Sequence, residues 1–213
     1  MSSTEDDQLA EFKDWWQRNG KPLVTGGLLA LVVVFGWQAF QKYQGNQSQG
    51  ASMLYQQLLE TTLTPTGKPD PAQVADLAGK LKNEFGGSTY AQYGSLFVAK
   101  VAVDTGKLDD AASELKAIAD KPSNPTLGEI ARQRLAQVLA AQNKADEALK
   151  LLDGDADKAF VATREELKGD LLVQLGRTDE ANAAYQKAKA ALSDEAAVGG
   201  LQIKLDDLAK GDA

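Results

Sequence analysis

Cysteine and histidine are both absent from the 213 residues. That removes disulfides, thiolate nucleophiles, the usual zinc ligand sets and every mechanism that uses an imidazole as acid or base. It also leaves no cysteine to carry a lipid, so membrane attachment would have to come from the chain's own apolar residues. Lys plus Arg (23) fall short of Asp plus Glu (30), for a net charge of −7. A surface that acidic argues against a nucleic-acid backbone as partner. There is no glycine-rich phosphate loop and no convincing stretch of strand alternation. No catalytic set, cofactor site or metal site is expected.

Charge is also missing from one long stretch. Between Lys21 and Lys42 there is no charged side chain, and ten of residues 22–41 are Leu, Val or Phe. At about 1.5 Å per residue that stretch spans roughly 30 Å, the thickness of a hydrocarbon core, which predicts a transmembrane helix. A cleaved signal peptide has a short basic start and a shorter apolar run. Here the start is 21 residues long with more acids than bases, and Trp37, Phe40 and Tyr43 crowd the exit, so the segment reads as a retained anchor. Leu9, Phe12 and Trp16 fall at helical spacing ahead of it, and Trp15 and Trp16 face Trp37 and Tyr43 as two aromatic belts. Pro22 is expected in the helix's first turn, where its missing N–H costs nothing. Lys13, Arg18 and Lys21 precede the span and only Lys42 follows it closely, which predicts an N-terminus in the cytoplasm and a periplasmic bulk. Gly26 and Ala30 form a small-x-x-x-small pair able to admit a second membrane helix.

Residues 44–50 suit a polar hinge or a helix extension. From Ala51 onward the apolar period is helical to the end. Helices are expected at about 51–63, around Val74 to Phe85, then 89–105, 108–119, 126–142, 144–152, 158–175, 177–192 and 194–210. Thr64 to Pro71, with three prolines, reads as a loop, and Gly86-Gly87 as a C-cap. The expected organisation is a cytoplasmic segment 1–21, a membrane helix 22–42 and a helical domain 43–213.

Three junctions match: Gly106-Lys107-Leu108-Asp109-Asp110-Ala111, Asn143-Lys144-Ala145-Asp146-Glu147-Ala148 and Gly176-Arg177-Thr178-Asp179-Glu180-Ala181. Their alanines are 37 and 33 residues apart, and a two-helix unit near 34 residues is the tetratricopeptide period. Gly or Asn should end each first helix in a left-handed cap, and carboxylates should open each second helix. Gly169, Ala181, Tyr185 and Ala188 complete the small-small-aromatic-small pattern in the third unit. Ala99 with Leu115, and Ala136 with Leu152, are the weaker counterparts. The fold class is therefore all-α: one membrane helix, then a tetratricopeptide-like α-solenoid capped by a helix carrying Val198, Leu201, Leu205 and Leu208.

The charged clusters offer no catalytic set. The paired acids Asp109-Asp110, Glu165-Glu166 and Asp206-Asp207 point in different directions on a helix and do not form dyads. Asp153, Asp155 and Asp157 imitate a calcium loop, but Lys158 and Arg164 stand where Gly and Glu are needed. Ser113 and Lys116 fit a Ser-x-x-Lys spacing without its partner motifs. What remains is a surface. In register, the concave protein-binding face would carry Tyr93, Leu96, Lys100 and Val103, then Ile130, Gln133, Gln137 and Ala141, then Glu166, Asp170 and Val173. The competing reading packs these apolar residues against neighbouring helices.

The stretch from Glu5 to Lys42 with Trp15-Trp16, then Tyr55, then Gly176 to Ala188, resembles the YfgM family. The resemblance implies an ancillary, non-enzymatic subunit of the SecYEG translocon in the bacterial inner membrane. It implies association with the chaperone PpiD and contact with nascent secreted polypeptides. It also implies, as the alternative, a membrane-tethered negative regulator of the Rcs envelope-stress pathway. No catalytic or binding residue is transferred by it.

Overall fold

The computed structural model describes residues 3–62, 69–192 and 195–211. Among them there is no strand. The chain divides into two units, Met1–Gly50 and Ala51–Ala213.

The described residues of the first unit lie within helix α1, Ser3–Thr62. It contains a window long and apolar enough to cross a membrane, with none of that window buried. Leu29, Val32 and Val33 are 68%, 68% and 69% exposed, so this stretch packs on nothing else among the described residues. The sequence expectation for Pro22 needs correcting: the helix begins nineteen residues earlier, and Pro22 lies inside it. Its missing N–H leaves the Arg18 carbonyl without its helical donor. The Thr25 hydroxyl donates to the Lys21 and Pro22 carbonyls at 2.9 and 3.0 Å. Residues 44–50 are helical, the extension and not the hinge.

The second unit takes the end of α1 and continues through α2 (Pro71–Phe85), α3 (Thr89–Asp104), α4 (Leu108–Asp120), α5 (Pro125–Ala141), α6 (Ala145–Leu151), a short 3-10 turn (Lys158–Phe160), α7 (Val161–Gln174), α8 (Thr178–Ala191) and α9 (Glu195–Gly211). Residues 63–68 of the proline-bearing loop lie outside the described residues. Pro71 itself is helical, at the start of α2, where the Asp70 carboxylate caps the Ala72 N–H at 3.0 Å. Gly86 is the C-cap of α2, as expected, but not in the left-handed conformation. Its φ of −56° is right-handed, so α2 runs into a turn with no left-handed cap. A Cβ there would lie 2.6 Å from the Lys82 carbonyl oxygen, so glycine serves close approach. Ser88 then caps α3 through the Ala91 N–H at 3.2 Å.

The three repeat junctions form as their residues dictate. Gly106, Asn143 and Gly176 have φ of 76°, 61° and 72°. After each, the next N–H reaches back five residues (Lys107 to Ala102, Lys144 to Leu139, Arg177 to Leu172) at 2.8 to 2.9 Å, the Schellman bond. The following helices have no side-chain cap, but each carries two acids in its first turn: Asp109 and Asp110, Asp146 and Glu147, Asp179 and Glu180. These favour the positive end of the helix dipole. Ala111, Ala148 and Ala181 are all fully buried at the crossing points. Leu58 and Leu81 fill the first core cluster, Leu152 and Leu171 a later one, and Leu201 and Leu205 of α9 close the last. Each such side chain contributes about 1.5–3 kcal/mol by leaving water. The side chain of Val198 lies outside the described residues.

Candidate protein-binding face

Helices α3 and α5 are the first helices of repeats one and two. Their outer sides, with α4 beneath, enclose a groove of about 350 Å³. Leu96, Lys100 and Val103 come from α3, and Gln137 and Ala141 from α5, so five residues predicted for the concave face meet here. Ala99, Leu115 and Val138 make its apolar floor. Lys100 Nζ pairs with Asp104 at 2.6 Å on its own helix. Arg134, at the rim, makes no hydrogen bond or ion pair among the described residues, and nothing in its local pattern marked it beforehand.

The other predicted positions have different neighbours. Tyr93 stands in an aromatic cluster with Tyr55 of α1 (5.6 Å between ring centroids) and Tyr90 (6.3 Å, edge-on), and Tyr55 also meets Phe97 at 6.1 Å. Burial first, then the neighbouring Tyr93 and Tyr90, push the Tyr55 hydroxyl's pKa up. Ile130 is partly buried on α5. Gln133 is drawn inward, donating to Glu129 Oε1 at 2.9 Å.

Glu129 is the centre of a buried network that local reading of the chain missed. Arg164 donates from Nε to Glu129 Oε1 at 2.9 Å and from the second guanidinium arm to Oε2. Arg132 reaches Oε2 at 3.0 Å. The remaining arm of Arg164 donates to the carbonyls of Gly154 and Asp155 at 3.1 and 3.2 Å. The loop that imitates a calcium site is thus held by a guanidinium. Burial pushes the Glu129 carboxyl up, but hydrogen bonds from Arg164 and Gln133 and the charges of Arg164 and Arg132 outweigh it and hold the group below the usual carboxylate range. The one available signal was period: Glu129 and Arg164 are 35 residues apart, one repeat.

In repeat three, Glu166 and Asp170 both bind Lys204 of α9, at 2.8 and 2.6 Å. The Tyr185 hydroxyl donates to the same Asp170 oxygen at 2.8 Å, and Lys204 Nζ lies 5.5 Å from the Tyr185 ring. Val173 remains 42% exposed. Among the candidate catalytic pairs, Lys116 is taken by Asp120 at 3.1 Å and Asp109 accepts from Gln142 at 2.9 Å. In α1, Gly26 is exposed and a Cβ on it would meet open space, with Ala30 one turn on, also exposed.

Comparison with known proteins places these elements in company. The family described as tetratricopeptide repeat-like domain matches residues 13–210. A protein of Escherichia coli (strain K12) is 30% identical over 205 residues, 96% of each chain. One from Neisseria gonorrhoeae is 28% identical over 206 residues, covering 96% of this chain and 97% of its own. One from Haemophilus influenzae is 26% identical over 188 residues, 88% of this chain and 90% of its own. All three relatives carry the name ancillary SecYEG translocon subunit. No solved structure matches the chain.

Proposed function

We propose that this chain, which belongs to the tetratricopeptide repeat-like family of ancillary SecYEG translocon subunits, is a membrane-anchored, non-enzymatic adaptor at the Sec translocon. The observation that carries the reading is the open apolar groove between α3 and α5, on the same chain as a helix fit to span a bilayer. A groove with an apolar floor and polar rim suits a partner's helix or an extended segment. Its occupants, in this reading, are a PpiD-type chaperone or emerging secreted chains, and SecYEG lies alongside the anchor. Gly26 and Ala30 offer a partner's membrane helix a close approach. The excess of Lys and Arg before the span favours a cytoplasmic segment 1–21, a membrane helix 22–42 and a periplasmic domain 43–213.

Photo-crosslinking tests it. A crosslinker at Leu96 or Gln137, in cells, should trap a chaperone of this kind, SecY or a secreted precursor, and one at the outward-facing Lys187 of α8 should not. Equal trapping from both faces, or no translocon-associated product from the groove, refutes the adaptor reading.

A further inference from the structure

Ahead of the membrane-length stretch, α1 carries four large apolar side chains that stay about half or more exposed: Leu9 (65%), Phe12 (62%), Trp15 (50%) and Trp16 (49%). On a helix, Leu9, Phe12, Trp16, Gly20 and Leu23 fall on one stripe that runs on into the span, and Glu11, Asp14, Arg18 and Lys21 fall opposite. Lys13 borders the stripe, with a stem long enough to keep its ammonium in the headgroups. The stripe is smoothed by its glycine. A Cβ on Gly20 would stand 3.0 Å from the Trp16 ring, so glycine there lets the indole lie close against the helix. Phe12 stacks between the two tryptophans, 6.2 and 6.4 Å from their rings.

Leu9 lies fourteen residues before Leu23, about 21 Å along the helix axis, and the headgroup layer is only about 5–8 Å deep on each side. A helix continuing straight out of the bilayer would hold Leu9 and Phe12 in water. The backbone supplies a way out. Pro22 gives the Arg18 carbonyl no donor, and Gly20 sits two residues before it.

We propose that residues 8–21 lie along the surface of the membrane that the span crosses, pivoting at Gly20 to Pro22, with the Leu9-Phe12-Trp16 stripe seated at the acyl–headgroup boundary. The inference rests on the reading of the span as an anchor. It names lipid as the occupant because the stripe is continuous with the lipid-facing span and because Lys13, Arg18 and Lys21 outnumber Glu11 and Asp14 within residues 8–21, the acids Glu5, Asp6 and Asp7 lying beyond the segment's outer end.

The natural absence of cysteine makes the test direct. Full-length protein with single substitutions Leu9→Cys, Phe12→Cys, Glu11→Cys, Asp14→Cys or Val32→Cys is spin-labelled and reconstituted alone into phosphatidylethanolamine–phosphatidylglycerol liposomes. Collision with oxygen and with a water-soluble nickel chelate is then compared. Labels at 9 and 12 should have an oxygen-to-nickel ratio several-fold above those at 11 and 14, with the label at 32 higher still. A water-exposed 9 and 12 beside a lipid-exposed 32 overturns the surface segment and leaves the anchor standing, whereas a water-exposed 32 overturns the anchor. Shielding of 9 and 12 that appears only when purified SecYEG is added also overturns it, in favour of a protein groove.

Discussion

Replacing Arg164 by Met is the sharpest perturbation the structure offers. The guanidinium is 3% exposed, and it spends its donors on both oxygens of Glu129 and on two loop carbonyls. Met fills similar volume but donates nothing, leaving a carboxylate whose side chain is 7% exposed. Breaking a buried pair from one side costs about 3–5 kcal/mol, and the surviving bonds from Arg132 and Gln133 place this case at the lower end. For a folded unit of this size each kcal/mol moves the melting temperature by about 2–4 °C, so a fall of about 6–12 °C is expected. Glu129→Leu alone should fall comparably, because it strands Arg164. The double substitution Glu129→Leu with Arg164→Met removes the pair and should return to within about 1 kcal/mol of the wild type. Melting followed by circular dichroism on the full chain in detergent measures all four proteins. If Arg164→Met melts within the error of the wild type, or the two single losses simply add in the double variant, the network does not hold repeat two to repeat three.

The same network fixes an acid response. The Glu129 carboxyl is held below its ordinary value when folded, so its contribution is present above the unfolded value, about 4.3, and is lost as pH falls through the lower folded value. The wild type should therefore lose more of its melting temperature below about pH 4 than the double variant does, read from melts across that range. At Gly169, a Cβ would lie 2.3 and 2.4 Å from two carbons of the Tyr185 ring, which is buried. Gly169→Ala should cost about 1–3 kcal/mol by overpacking, and Tyr185→Leu in the same chain should relieve it, since repeats one and two pair Ala99 and Ala136 with Leu115 and Leu152. Denaturant midpoints for the single and double variants decide this. At the repeat junctions, Gly176→Ala forces a side chain into the left-handed region and should destabilise by about 1–2 kcal/mol, whereas Asn143→Gly, already left-handed, should be neutral or mildly stabilising.

What the sequence disclosed and what it concealed divide by distance along the chain. The junctions at Gly106, Asn143 and Gly176 were readable because a Schellman cap is settled within six residues. The burial of Ala111, Ala148, Ala181 and Tyr185 followed from the repeat period. Pro22 was misplaced because nothing local says whether a proline opens a helix or interrupts one already running. At Gly86 the end of the helix was readable but its right-handed conformation was not, because a glycine that permits close approach looks the same in sequence as one that permits positive φ. Glu129, Arg164 and Lys204 were missed for a different reason. Each looks like an ordinary solvated charge on its own helix, and only the stacking of neighbouring repeats supplies its partner.

That stacking also bears on where a partner can enter. Polar ties recur one repeat apart: Asp109 with Gln142, the Ala140 carbonyl with Gln174, Glu129 with Arg164, and Asp170 with Lys204. In the last, α9 stands where the first helix of a further repeat would be and satisfies the acids that repeat three turns outward. Lys100 and Gln137 hold the same register as Asp170 in repeats one and two, yet neither bonds to the next repeat among the described residues. With them sits Arg134, which has no carboxylate partner among the described residues. In a solenoid each repeat contacts only its neighbours, so a polar group on a first helix that the next repeat does not meet is left to water or to a partner. Between α3 and α5 the two repeats meet over an apolar floor, and neither Lys100 nor Gln137 is tied to the repeat that follows it among the described residues. The proposed protein-binding face is therefore expected to centre on the junction of the first two repeats. Substituting Leu96 or Arg134 should weaken partner capture far more than substituting Glu166, whose charge is already answered within the chain.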